Sequence, residues 1–98
     1  MVHVLIRHRV SDFNQWKADF DNAFLFRQNS GEKSFHLFRD GNDPSDLTLL
    51  FEWESGESAE KFLKSDQLKR EMKNAGVQGQ PEMRVLHEMV TMRRTAAD

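Results

Sequence analysis

From position 2 to position 10 the residues alternate. Val2, Val4, Ile6, His8 and Val10 fall on one face, and His3, Leu5, Arg7 and Arg9 on the other. A period of two with β-branched residues predicts a strand. Ser11-Asp12 ends it. Asp12, with Gln15 three residues later, resembles a capping box, in which a side-chain oxygen satisfies an orphan N–H of the first helical turn. Phe13, Trp16, Phe20, Ala23, Phe24 and Arg27 then recur at helical spacing, and Gly31 supplies the stop. Residues 33–40 read as a second strand, with Phe35 and Leu37 opposite in face to His36 and Phe38. Turn residues fill 40–46. Residues 47–54 form a third strand with a wholly apolar face of Leu47, Leu49, Phe51 and Trp53. Capping serines between 55 and 58 open a second helix carrying Ala59, Phe62 and Leu63. Ser65-Asp66 breaks and recaps it before Leu68 and Met72, and Ala75-Gly76 ends it. Pro81 precedes a fourth strand over 82–88, where Met83, Val85 and His87 alternate with Arg84, Leu86 and Glu88.

The order βαββαβ predicts an α+β fold of ferredoxin-like type: a four-stranded antiparallel sheet with both helices on one face. Residues 1–90 make one domain, and 91–98 a flexible C-terminal tail without periodicity. The helix-free face would carry Leu5, Leu50 and Leu86 among Arg7, Glu52 and Arg84. A bare face with several leucines is a natural partner surface. A homodimer that packs two such sheets face to face closes an α/β barrel. Arg7 and Glu52, expected on neighbouring strands, would pair across the sheet.

Composition narrows the classes. At 98 residues there is room for one core, and eight Phe with two Trp can fill it. A net charge of −2 leaves no basic stripe for nucleic acid. With no cysteine, disulfides, thiolate nucleophiles and cysteine metal sites are excluded. His3, Arg7 and His8 interrupt the N-terminal apolar run, which argues against a signal peptide or a membrane span and makes the cytoplasm the expected location.

The stretch 50–65, LFEWESGESAEKFLKS, resembles the antibiotic biosynthesis monooxygenase family of the dimeric α/β-barrel superfamily. The runs Arg7-His8-Arg9-Val10, Asp12-Phe13-Asn14-Gln15-Trp16 and Ala75-Gly76-Val77 resemble a subgroup of its small members. The resemblance spans residues 2–88 and implies the fold, a homodimer and an oxygenase that works without a cofactor. The family's common helix histidines are replaced by Phe62 and Gln67, and the asparagine that haem-degrading relatives carry on the first strand is Arg7 or His8 here.

His8 is the leading candidate for chemistry. By parity it lies under the helices near Phe51 and Trp53. Its pKa near neutrality suits a general base toward a phenol or enol. The plainer alternative is a core histidine satisfied by one hydrogen bond. Trp53, Phe51 and Trp16 are candidates to line a flat pocket for a small apolar or aromatic ligand, or else are simply core. His36 and His87 are further candidate binding residues on short strands. No H-x-H, H-x-x-H or H-E-x-x-H spacing joins the histidines, so no metal site is expected. Strand parity puts the expected pocket between sheet and helices, and the most informative observation is whether His8 and Trp53 border a cavity on the order of 300 Å3 there. Three functions follow: a cofactor-independent monooxygenase acting on an aromatic or polyketide-like substrate, a non-catalytic dimeric binding or stress-response protein, or a cyclase or isomerase using proton transfer alone.

Overall fold

In the computed structural model, which describes residues 1–95, the alternating residues of the first strand take opposite environments. Val4, Ile6, His8 and Val10 of β1 (Val2–Val10) are buried, while Arg7 and Arg9 are exposed. β1 is followed by α1 (Phe13–Asn22), α2 (Phe24–Ser30), β2 (Glu32–Arg39), β3 (Asp46–Trp53), α3 (Gly56–Leu63), α4 (Asp66–Asn74) and β4 (Val77–His87). The sheet order is β2-β3-β1-β4, and every neighbouring pair is antiparallel. The helices cover one face, where Leu47, Leu49, Phe51 and Trp53 are at most 3% exposed. This is the expected ferredoxin-like α+β arrangement.

Capping sets the helix starts. Asp12 accepts from the Gln15 backbone N–H at 3.2 Å, Ser55 from Ser58 at 3.1 Å and Ser65 from Leu68 at 3.2 Å. The capping box at α1 is half made, because the Gln15 amide donates to Asp19 at 2.9 Å instead of reaching back.

Three expectations change. The first helix is two helices, broken at Ala23. The Phe20 carbonyl, which a continuous helix gives to the N–H four residues on, accepts here from Ala23 N–H at 3.2 Å and from the Arg27 guanidinium. The fourth strand starts at Val77, not at 82. Its ladder with β1 shifts between Arg7 and Arg9, leaving Gly79, Gln80 and Pro81 opposite His8 alone. Pro81, without an N–H, is tolerated in this bulge. Arg7 does not pair with Glu52. Antiparallel register sets Arg7 against Thr48 and Glu52 against His3. Arg7 donates from Nε and Nη2 to the Asp46 carboxylate at 3.2 and 2.8 Å.

The helix-free face carries Leu5, Leu50 and Leu86, together with His36 stacked on Phe38 at 6.0 Å. Beyond β4, residues 88–95 are exposed and carry neither helix nor strand; the rest of the expected tail, 96–98, lies outside the described residues. Among the described residues no helix is long and apolar enough to cross a membrane.

One backbone position locks the helical layer to the sheet. Gly31 has φ +127°, and a Cβ there would lie 2.6 Å from Nε1 of Trp53. That indole donates to the Ser30 carbonyl at 3.2 Å. Gly31→Ala is expected to lower the urea-unfolding free energy by about 2 kcal/mol or more, combining left-handed strain with a clash in the core. A midpoint unchanged from the parent chain contradicts this account.

Candidate functional site

The parity of β1 and β3 places Ile6, His8, Leu49 and Phe51 on the floor of a crevice under the helices. Trp16 and Phe20 of α1, Phe26 and Arg27 of α2, Phe62 of α3 and Leu68 and Met72 of α4 form its walls. Asp19 and Glu71, both half-buried, stand on opposite helices among its lining. Its cavity volume is about 50 Å3, and it opens to solvent. This is less than small-ligand sites usually offer, and the rings of Trp16, Phe20 and Phe51 stand in its lining.

His8 is 5% exposed, and its Nδ1 is sealed from solvent without a hydrogen-bond partner. Its ring meets Trp16 edge-on, with centroids 5.6 Å apart. Burial lowers its pKa from the ordinary histidine value; its own backbone and the Asp46 carboxylate offset this in part. The imidazole is therefore neutral at pH 7, with an unprotonated nitrogen in an apolar setting. Asp46 is itself held below the usual carboxylate range, chiefly by the hydrogen bond from Arg7.

The other sequence candidates separate. Trp16 and Phe51 line the crevice with His8. Trp53 shares their face but sits deeper in the core, packed on Phe62 at 4.5 Å and bonded to Ser30. His36 lies on the opposite face of the sheet, and His87 lies beside Gly56 at the start of α3. The histidines therefore do not converge.

Arg27 was not singled out from the sequence. It is 5% exposed, and its Nε donates to Glu32 at 2.7 Å. Its guanidinium carbon lies 3.7 Å from the centroid of Phe20. The available signal was an arginine on an apolar helical stripe, seven residues after Phe20 and five before a glutamate. At the β4 bulge a second, open groove of about 390 Å3 also touches His8, between Arg7, Arg9, Asp46, Gln78 and Glu82. Both of its arginines are already paired, Arg7 with Asp46 and Arg9 with Asp43.

A buried neutral histidine leaves a signature in stability. Below pH 6.5, the ordinary value, the unfolded chain takes up a proton that the folded chain resists. The His8 contribution is thus fully present above pH 6.5 and is lost as the pH falls from there through the lower folded-state pKa. The urea midpoint is expected to drop more between pH 7.5 and 5.5 in the parent chain than in His8→Phe. Equal drops in the two proteins refute a buried neutral imidazole.

No family model matches the chain, and no curated protein does. Solved structures match over nearly its whole length. SnoaB of Streptomyces nogalater, described as a cofactor-independent oxygenase, is 14% identical, with 93% of this chain and 95% of that one covered and a TM-score of 0.74. A protein named antibiotic biosynthesis monooxygenase is 15% identical, with coverage of 92% and 100% and a TM-score of 0.67. A conserved protein of Methanosarcina mazei Go1 is 15% identical, with coverage of 90% and 92% and a TM-score of 0.70. At this identity the likeness is one of fold, and the chain has the ferredoxin-like α+β fold of the antibiotic biosynthesis monooxygenase-like proteins.

Proposed function

We propose that this protein is a cofactor-independent monooxygenase-like enzyme for a small aromatic or polyketide-like substrate, with His8 as general base. The observation that carries the reading is the buried imidazole of His8, its Nδ1 without a hydrogen-bond partner, in a crevice lined by aromatic rings. The likeness to SnoaB, described as a cofactor-independent oxygenase, supports the reaction class.

The chemistry starts with proton transfer. Neutral His8 takes a proton from an anthrone or phenol, leaving an electron-rich anion and an imidazolium. The anion reduces O2. In an anthrone the CH2 carbon supplies four electrons; one oxygen atom becomes the new carbonyl and the other leaves as water. The aromatic walls exclude bulk water, which favours the neutral base before the reaction. Seating a fused-ring substrate requires α1–α2 and α4 to part. Ala23, whose backbone leaves helical geometry between α1 and α2, borders the crevice at that junction.

The small cavity volume favours a second reading, a non-catalytic binding or stress-response protein of the same fold. A cyclase or isomerase is the third; turnover without oxygen separates it from the first. In each reading the active form is a homodimer that buries the leucines of the helix-free face.

Purified protein is expected to consume O2 above background with at least one member of a panel of anthrones and quinols. His8→Ala should lower the rate by about 10²–10⁴-fold, the usual worth of a general base. No uptake across the panel, with ligand binding unchanged in His8→Ala, removes the oxygenase reading. For the dimer, Leu50→Glu places a charge on the helix-free face and should give a folded monomer by light scattering at micromolar concentration. A parent chain already monomeric there rules out the barrel.

A further inference from the structure

The bulge of β4 falls opposite the buried histidine and nowhere else on that strand. From Val2 with His87 to Arg7 with Glu82 the β1–β4 ladder pairs residue with residue, and it resumes at Arg9 with Gln78. Between those points Gly79, Gln80 and Pro81 stand where a regular ladder has one residue. Packing does not call for the excess. Gln78, Gly79 and Gln80 are exposed, and a Cβ added at Gly79 would meet nothing within 4 Å. What the bulge makes is the open groove, with His8 in its lining.

Among the described residues, His8 alone lines both the groove and the crevice. The two spaces differ in kind. The crevice presents apolar side chains such as Ile6, Phe20, Leu49 and Leu68, none of which can relay a proton. A ligand seated there closes that side further. The groove meets solvent and is bordered by the side chains of Gln78 and Gln80 and by Arg7 and Arg9 of β1, Asp46 of β3 and Glu82 of β4. Arg7 keeps Asp46 ionised, so Asp46 does not take a proton itself, while its charge favours the imidazolium. The two arginines are each offset by a carboxylate, Arg7 by Asp46 and Arg9 by Asp43. On the crevice side Asp19 of α1 and Glu71 of α4 stand with Arg27 of α2, which Glu32 balances. The polar way out from His8 is the groove.

We infer that the β4 bulge is a proton port for His8: the imidazole exchanges protons with solvent through the groove, even while a ligand fills the crevice. Use of the port for a ligand's proton rests on the reading of His8 as the base; the port itself rests on the bulge and the groove. Nε2, at the tip of the ring, takes the proton in the crevice. Nδ1 is bonded to the carbon that joins ring to side chain, so it lies nearer the strands, and it is sealed and without a partner in the resting state. A shift of the three bulge residues, which no one-to-one pairing holds, admits a water to it. The Nδ1–H bond breaks, an O–H bond forms on the water, and nothing is oxidised or reduced. The reverse transfer restores Nδ1–H when Nε2 gives its proton back.

The test follows the intact protein labelled at histidine Cε1 and reads the protonation exchange rate of His8 from its line broadening at the titration midpoint. Deleting Gly79 and Pro81 leaves Gln80 alone opposite His8 and closes the bulge. Gln80→Trp, at an exposed position, keeps the bulge and fills the groove with an indole. Both variants should keep the parent's far-ultraviolet circular dichroism and slow the exchange by about tenfold or more, the worth of one charge-assisted hydrogen bond lost from the transfer. Ala23→Leu adds bulk to the crevice instead and should leave the rate at the parent's value. Parent-like exchange in either folded groove variant, or an equal fall in Ala23→Leu, overturns the inference. Absent O2 uptake with exchange slowed only in the groove variants defeats the oxygenase reading and leaves the port standing. Normal uptake with parent-like exchange in those variants does the reverse.

Discussion

The apolar face of β3 is the surface on which the other elements are assembled. Leu47, Leu49, Phe51 and Trp53 are each nearly or wholly buried, and the helices reach them through aromatic rings. Phe20 of α1 meets Phe51, Phe62 of α3 meets Trp53, and Phe26 of α2 meets Phe62. Aromatic side chains bury the most area per residue, so a chain of this length can hold four short helices on one sheet with few contacts. The helices are individually marginal at seven to ten residues; tertiary packing, not propensity, sustains them. The same rings that fix the helices also form the walls of the crevice, so fold and site share one set of contacts.

Against that apolar layer the chain sets two polar groups at real cost, His8 and Arg27. Their costs are met differently. Arg27 is stabilised by Glu32, by a backbone carbonyl and by the face of Phe20. His8 avoids the charge altogether, because burial holds it neutral, and it leaves Nδ1 without a partner. An orphaned buried nitrogen costs roughly 1–3 kcal/mol. Local departures of this kind cluster where a chain does something other than fold. The β4 bulge opposite His8 is a second departure at the same place, since three residues of one strand face a single residue of the other.

Much of this was legible in the residues. The period-two patterns of β1 and β3 determine which side chains face the helices, and the capping residues Asp12, Ser55 and Ser65 mark the helix starts. What escaped depends on contacts between distant residues. The break at Ala23 comes from competition for the Phe20 carbonyl, in which a side chain seven residues away takes part. The start of β4 at Val77 was hidden because Gly79 and Pro81 read locally as turn residues, whereas β1 supplies a partner on either side of them. Asp46 looked like the end of a turn; antiparallel register makes it the partner of Arg7. In the candidate site, the floor followed from strand parity. Arg27 did not, because an arginine at the end of a helical stripe is usually solvent-facing, and only the fold turns it inward.

The two faces of the sheet impose different demands on the sequence. The helix-covered face needs volume and flatness, which many combinations of Phe, Trp, Leu and Val supply. That tolerance explains how proteins 14–15% identical keep the same fold over nine-tenths of their length. The buried polar groups depend on far fewer positions. A neutral imidazole needs burial and the absence of a charge partner, and a buried guanidinium needs Glu32 and the Phe20 carbonyl in register. Replacing Phe26 by leucine changes packing by a modest amount, whereas replacing Glu32 leaves an uncompensated cation in the core. His8 and Arg27, set at the two ends of the Trp16–Phe20 stack, are therefore the part of this crevice least free to drift while the fold is kept.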